Sequence, residues 1–148
     1  MQRHHLLPRQ LIARHCFAPM LAAVGSESLG FADFRRNGVL LPATEIAAAS
    51  IGPPLHRGPH QRYNEMVAER VGQIETGWSA RRMHSPHCAQ VEAAMRLRLL
   101  QSALRRRLMQ PGQRPIMLNR NDPLGKGMDF SELDAMADLL WAGSQFEV

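Results

Sequence analysis

At 148 residues, the chain has the length of one ordinary domain and can bury a sizeable core. Apolar residues make up 45% of it, which excludes a wholly disordered protein, and the low aromatic share of 5% predicts a core of aliphatic side chains. The formal charge of +5 rests on arginine, because Lys126 is the only lysine among the 18 basic residues. Arginine can bind phosphate through two parallel hydrogen bonds, so this composition favours a polyanionic partner.

The cysteine pattern argues against a cysteine-based metal or redox centre, and the hydropathy argues against a membrane-spanning protein. Cys16 and Cys88 form no C-x-x-C motif, so neither a zinc ribbon nor a thioredoxin-like centre is indicated. We expect two buried thiols, with one disulfide as the alternative. No apolar run approaches the ~20 residues of a membrane span, and charges and prolines interrupt the only stretch that could form a signal peptide. A soluble domain without signal peptide is expected, and the early position of the first histidines suggests a module cut from a longer polypeptide.

The first predicted elements are short. Residues 4–7 read as a strand or extended entry that ends at Pro8, in which His4 and His5 would point to opposite faces. Residues 9–24 predict short helical pieces that are broken at Pro19 and ended by Gly25.

A turn and a second strand are predicted next. Asn37-Gly38 is a strong turn signal, and the following Val39-Leu40-Leu41 reads as a strand that Pro42 ends. On spacing alone, Asn37 is simply a turn residue. Residues 44–50 predict a short alanine-rich helix.

Residues 56–64 hold two imidazoles four positions apart. Pro59 suits the first position of a helix and pushes Gly58 out of it, so His56 would lie in a loop and His60 in the first helical turn. Such a pair usually has roles other than metal binding. It cannot complete a site alone, since zinc and similar ions take three or four ligands, but a histidine of the N-terminal pair could.

The remaining elements are predicted to be helical. A helix from Pro59 to about residue 75 should bury one face, and residues 77–86 read as a connector. We expect His84, and His87-Cys88 just after it, to be ordinary loop polar groups and not metal ligands. The longest helix is predicted over residues 89–110, with its arginines on a solvated face or, alternatively, tracking phosphates. A loop over residues 111–127 precedes a last helix over residues 131–141. The apolar faces predicted for the two long helices consist of Tyr63, Val67, Val71 and Ile74 in the first and Val91, Met95, Leu100, Leu104 and Leu108 in the second.

Three motifs follow one another in the sequence. They are His4-His5-Leu6-Leu7-Pro8, Asn37-Gly38-Val39-Leu40-Leu41-Pro42 and His56-Arg57-Gly58-Pro59-His60-Gln61-Arg62-Tyr63-Asn64. Together they resemble the AHH nuclease family, a branch of the HNH/endonuclease VII (His-Me finger) superfamily, over roughly residues 3–75. The chain departs from the family at Arg3, where the name-giving alanine usually stands, a position that carries no chemistry.

The resemblance implies an α+β, predominantly helical fold with a ββα-metal core and added C-terminal helices. Residues 1–80 would form the nuclease core, and residues 81–148 a helical extension packed on it as one globular unit. His5 would be the general base, and His4, His56 and His60 the metal ligands. Asn37 would brace the loop or orient the base, and Tyr63 and Asn64 would support the ligands. The arginines expected to position phosphates are Arg57, Arg62, Arg35 and Arg36.

The implied chemistry agrees with the residue types. An imidazole with a pKa near 6.5 can take a proton from water at neutral pH, and one bound cation can stabilise the charge that develops at a phosphodiester. Imidazole ligands favour Zn²⁺, Ni²⁺ or Mn²⁺, with Mg²⁺ as the alternative.

The resemblance therefore predicts a metal-dependent, largely sequence-nonspecific DNA endonuclease. It also implies an antibacterial toxin effector that acts in the cytoplasm of a target cell and is neutralised by a cognate immunity protein, or a cytoplasmic enzyme if the chain stands alone. The alternatives are an RNase and a non-catalytic, metal-stabilised module that binds nucleic acid or protein.

Overall fold

The computed structural model describes residues 1–42, 61–109 and 131–144, with the backbone alone at residues 61, 62, 131, 132, 143 and 144. Within these ranges the fold is predominantly helical with one small sheet, consistent with the predicted α+β class. The strands are β1 (Gln2–His5) and β2 (Gly38–Leu41), and a 3-10 turn covers Arg9–Ala13. The helices are α1 (Ala18–Val24), α2 (Ser26–Leu29), α3 (Phe34–Asn37), α4 (Gln61–Arg81), α5 (Pro86–Met109) and α6 (Ser131–Ser144).

The two strands pair in antiparallel register. His4 lies opposite Val39 and His5 opposite Gly38, at the end of β1. The second predicted strand is confirmed, whereas β1 begins two residues before the strand predicted over residues 4–7 and ends at His5. The predicted turn at Asn37-Gly38 is wrong, because Asn37 is the last residue of α3 and Gly38 is the first of β2.

The short N-terminal helices are separated by glycines with positive φ. Gly25 (φ 84°) ends α1, and Gly30 (φ 68°) ends α2, conformations that a side chain would disfavour. The prediction that Pro19 breaks a helix is wrong, because this proline lies in the first turn of α1, where its missing N–H costs no hydrogen bond.

The predicted connector over residues 77–86 is largely wrong. Helix α4 continues through Gly77 to Arg81, because Trp78 packs into the core and anchors another turn. Only residues 82–85 then separate α4 from α5, which begins at Pro86. The predicted helix over residues 44–50 and the start of the helix at Pro59 lie outside the described residues.

Helices α4 and α5 pack against each other and against the N-terminal segment to form the core. The predicted face of α4 is confirmed at Tyr63, Val67 and Val71, with Ile74 partly buried. The prediction that Val91 lies on the buried face of α5 is wrong, because this side chain is 45% exposed. The face that α5 buries is instead shifted and includes alanines, which let the two helices approach closely, and it consists of Ala89, Ala93, Ala94, Leu97, Leu100, Gln101, Leu104 and Leu108.

The cysteine prediction is also wrong. Cys16 and Cys88 are both exposed free thiols, because among the described residues each lies on a side of its segment that faces solvent. His15, His84 and His87 are exposed as well. Among the described helices, none is both long and apolar enough to cross a membrane.

Candidate active site

The strand β1 holds two adjacent histidines in different environments. His4 is only 1% exposed, and its ring meets the ring of Tyr63 edge-on, with centroids 4.7 Å apart and an angle of 70° between the planes. His5 is half-buried. This difference follows from the pleat of the strand, which turns successive side chains to opposite faces, as predicted.

The ring of Phe34 lies between His5 and Arg3. It meets the His5 ring edge-on at 6.3 Å, and the Arg3 guanidinium carbon lies 4.3 Å from its centroid. Phe34 can occupy this place only because residue 38, opposite His5, is glycine. A Cβ at Gly38 would overlap the Phe34 ring and lie 2.7 Å from its carbonyl oxygen.

The environment of His5 favours its neutral form. Partial burial lowers the pKa of the His5 imidazole below its ordinary 6.5, and the positive charges of Arg9 and Arg3 lower this pKa further. A neutral imidazole at neutral pH can accept a proton, which is the property that a general base requires.

Asn37 holds the backbone that follows the histidine pair. The side chain is fully buried, accepts a hydrogen bond from Leu7 N at Oδ1 (2.8 Å) and donates from Nδ2 to Leu7 O (2.9 Å) and Phe31 O (3.4 Å). Its own carbonyl accepts a hydrogen bond from Leu6 N (2.9 Å). An asparagine side chain offers a donor and an acceptor side by side, so it can bind both backbone groups of one residue as a neighbouring strand would.

Tyr63 holds the same backbone from the side of α4. Its hydroxyl donates to Leu6 O at 2.8 Å. Complete burial raises the pKa of the Tyr63 phenol well above its usual value, so the hydroxyl keeps its proton and remains a donor. Asn64, the next residue of α4, is half-buried.

A further polar side chain reaches this network from α5. Gln101 is only 7% exposed, and its Nε2 donates to Leu29 O (2.9 Å) and to Asn37 Oδ1 (3.3 Å). Asn37 Oδ1 thus accepts from two donors, one in the bend after β1 and one on α5.

The arginines predicted to bind phosphate differ in their surroundings. Arg35 and Arg36 are both exposed, and the Arg36 guanidinium donates to the carbonyls of Ser28 and Glu27 at the end of α2. Arg105 on α5 donates to the carbonyls of Arg35 and Arg36 at 2.9 and 3.0 Å. Arg57 and the side chain of Arg62 lie outside the described residues.

The predicted metal ligands are described only in part. Across residues 1–42, 61–109 and 131–144, no three His, Cys, Asp or Glu side chains form a group that could hold a metal ion. His56 and His60 lie outside these ranges, so the ligand set stays a prediction. Its donor chemistry fits a divalent ion, because His4 supplies a buried imidazole against the first described turn of α4, and His60 directly precedes this helix in the sequence.

Several residues around the histidines were missed by sequence reasoning. Phe34, Gln101, Arg3 and Arg9 carry no recognisable motif, and Gln101 lies 64 positions from the asparagine that it contacts. The only signal in the sequence was a glutamine among the apolar positions of α5, at a place where the helical period predicts burial.

Comparison with known proteins identifies one family. A family model described as a nuclease family of the HNH/ENDO VII superfamily with conserved AHH matches residues 1–103. The matched range includes both strands, α4 and most of α5, and so extends beyond the residues 3–75 that carry the motifs. No curated protein and no solved structure matches the chain significantly.

Proposed function

The chain belongs to the AHH nuclease family of the HNH/endonuclease VII superfamily, and from this premise we propose that it is a metal-dependent endonuclease that hydrolyses DNA with little sequence specificity. The observation that carries the proposal is the geometry around His5. A half-buried imidazole with a lowered pKa ends a strand, and hydrogen bonds from Asn37 and Tyr63 fix the backbone that follows it.

His5 is the proposed general base. Its partly open position leaves room for a water molecule or a phosphate, and its neutral form can take the proton from the attacking water. The Phe34 ring limits the orientations that the imidazole can adopt. Fixing a base in a productive orientation lowers the entropic cost of reaching the transition state.

Asn37 and Tyr63 are proposed to position the base through the backbone. Neither side chain contacts His5 in the hydrogen bonds described above; both bind Leu6 or Leu7, the two residues after it. This arrangement supports the loop-bracing role among those that the resemblance implies for Asn37.

His4 is proposed as a metal ligand together with His56 and His60. When bound, a divalent cation in this ββα-metal arrangement would stabilise the negative charge that develops on the phosphate and the leaving oxygen. Mg²⁺, Mn²⁺, Ni²⁺ and Zn²⁺ are the ions to compare.

The substrate is proposed to be held by exposed arginines. Arg35 is exposed near β2, and Arg3 and Arg9 lie close enough to His5 for their charge to lower its pKa. With Arg57 and Arg62 they would bind the phosphate backbone, which carries no sequence information and so explains low specificity.

The biological role is proposed to be that of an antibacterial effector that is neutralised by an immunity protein. Its support is the resemblance, because AHH domains often serve as toxin modules. Expression of the wild-type chain in a bacterial cytoplasm should therefore stop growth, and co-expression of an immunity protein or the His5→Ala substitution should restore it.

The deciding experiment is plasmid cleavage by purified protein. We expect nicking that EDTA abolishes and an added divalent ion restores. His5→Ala should lower the nicking rate at least about 100-fold, the usual contribution of a general base. His15→Ala is the matched control, since His15 is an exposed histidine away from β1 and its loss should leave the rate unchanged. Full activity in the His5→Ala protein would show that His5 is not the general base.

The same assay separates the alternatives. Cleavage of an RNA substrate alone would identify an RNase with the same base. No cleavage of either substrate, combined with unfolding when the metal is removed, would indicate the non-catalytic metal-stabilised module.

A further inference from the structure

A buried glutamine on α5 lies behind the asparagine that braces the histidine loop. We propose that Gln101 is a positioning residue of the nuclease, which fixes the side-chain amide of Asn37 and through it the orientation of His5. This proposal rests on the proposed function, because positioning has a catalytic consequence only if His5 acts as the base.

The first step of the argument is the bonding of Asn37 Oδ1. It accepts from Leu7 N at 2.8 Å and from Gln101 Nε2 at 3.3 Å. If the Asn37 amide were rotated by 180°, its NH₂ group would face both donors, and two carbonyls would lose their donor on the other side. Gln101 therefore stabilises the one amide orientation in which Asn37 binds both backbone groups of Leu7.

The second step concerns how Gln101 itself is fixed. Its Nε2 also donates to Leu29 O at 2.9 Å, at the last residue of α2. One amide nitrogen thus connects three parts of the chain, namely α5, the end of α2 and the residue before β2. Networks of this kind restrict each member more than a single pairwise bond does.

The third step is the short chain segment that connects Asn37 to the proposed base, His5. Leu7 follows His5 by two residues, and Leu6 between them is bound through its N–H to Asn37 O and through its carbonyl to Tyr63. A movement of Asn37 is consequently transmitted to the backbone that carries the imidazole. Small displacements of a catalytic group have large effects on rate.

A packing role alone does not explain a glutamine at this position. The neighbouring buried positions of the same face, Leu97, Leu100 and Leu104, are apolar. A buried amide is costly unless it is hydrogen-bonded, so an apolar side chain would fill this space without requiring partners.

The test uses Gln101→Met, which keeps a long unbranched side chain and removes the donor. Gln90→Met on the exposed side of α5 is the matched control. We expect Gln101→Met to lower kcat for plasmid nicking about 10- to 100-fold, the effect usual for groups that orient the ligands of a metal site, with KM close to that of the control. Its Tm should fall by a few degrees, because the buried Leu29 carbonyl loses this donor. In a protein that remains fully folded at the assay temperature, a fall in kcat with unchanged KM reports a loss confined to the transition state. Wild-type kcat in a folded Gln101→Met protein would overturn the proposal.

A second variant, Gln101→Glu, and a second measurement, amide hydrogen exchange at Leu7, test the proposal without relying on one variant or on cleavage activity. Gln101→Glu retains the shape but turns an acceptor toward two acceptors, so it should lower kcat at least as far as Gln101→Met. Amide hydrogen exchange at Leu7 should be faster in both variants than in Gln90→Met, because its acceptor Asn37 Oδ1 is no longer fixed. If the wild type cleaves neither DNA nor RNA, the proposed function fails, and Leu7 exchange alone decides the positioning. Unchanged exchange at Leu7 would overturn it.

Discussion

The side chain of Asn37 binds both the N–H and the carbonyl of Leu7, as the backbone of a neighbouring strand would. We expect Asn37→Asp to lower the free energy of unfolding by about 3 kcal/mol, because it removes the donor to Leu7 O and Phe31 O inside a fully buried site. Urea denaturation of the variant beside the wild type measures this loss.

The matched control for that prediction is Asp33→Asn, the reverse exchange four residues away. Asp33 Oδ1 accepts a hydrogen bond from Arg35 N at the start of α3, and an asparagine oxygen can accept the same bond. Its effect should stay below about 0.5 kcal/mol. Equal effects of the two substitutions would mean that burial of the Asn37 amide is energetically unimportant.

At the scale of single residues, motifs in the sequence indicate candidate site residues but not the contacts that surround them. His4, His5, Asn37 and Tyr63 were identified from motifs, and the structure brings all four together around one loop. The bracing bonds of Asn37 could not be derived from spacing, because Asn37-Gly38 is also a common turn signal. Which role applies depends on contacts with Leu7, which is 30 positions away.

At the scale of the elements, the packing of Phe34 beside the β1–β2 pair depends on Gly38, which has no side chain. Gly38→Ala should cost about 1–3 kcal/mol and lower cleavage, because the new methyl group overlaps Phe34, whose ring contacts that of His5. Gly77→Ala is the control, since a Cβ there meets nothing within 4 Å and the residue lies in α4. An alanine in a helix interior should stabilise by about 0.5–1 kcal/mol, so thermal unfolding should shift in opposite directions for the two variants.

The helices show which part of the fold a sequence pattern can predict. The buried face of α4 followed from its three- and four-residue spacing, but its end did not, because Gly77 indicates a stop while the packing of Trp78 extends the helix. The buried face of α5 was also not predictable from spacing, because packing against other elements decides which of its residues are buried. Its alanines are neutral in the pattern and become buried only because α4 lies against them.

Helix α6 lies beyond the range that the family model matches, and within the described residues it contacts the rest of the protein through two ion pairs and through apolar side chains. Asp134 pairs with Arg70, and Asp138 pairs with Arg96, while Ala137 is the deeply buried apolar residue of the helix. Because both carboxylates are substantially exposed, the two pairs together should contribute only about 1 kcal/mol.

We therefore expect the double substitution Asp134→Asn/Asp138→Asn to raise amide hydrogen exchange in α6 about fivefold, the factor that corresponds to 1 kcal/mol. Added salt should reduce this difference, because it already screens the pairs in the wild type. Glu69→Gln, an exposed acidic residue of α4, is the control. Exchange that does not change would show that apolar contacts alone hold the helix.

Across the part of the molecule that the structure describes, some arginines bind the protein itself and others face solvent near the sheet. Arg36 and Arg105 donate to carbonyls, and Arg81 pairs with Glu92, so these guanidinium groups already have partners. Arg9 and Arg35 are exposed, and Arg9 lies close enough to His5 to affect its pKa. The net charge of +5 alone does not reveal this division, because it counts every arginine equally.

This division predicts how binding of DNA depends on salt. With the cleavage-deficient His5→Ala protein, affinity should fall about 500-fold between 50 and 200 mM salt if each of the five proposed arginines neutralises one phosphate. Arg9→Gln and Arg35→Gln should each reduce the slope of log K against log salt by about one, whereas Arg81→Gln should leave it unchanged. Fluorescence anisotropy with a labelled duplex measures all four proteins. If the slope were instead reduced equally by all three substitutions, binding would depend on net charge alone, and the face around His5 would have no special part in capturing the substrate.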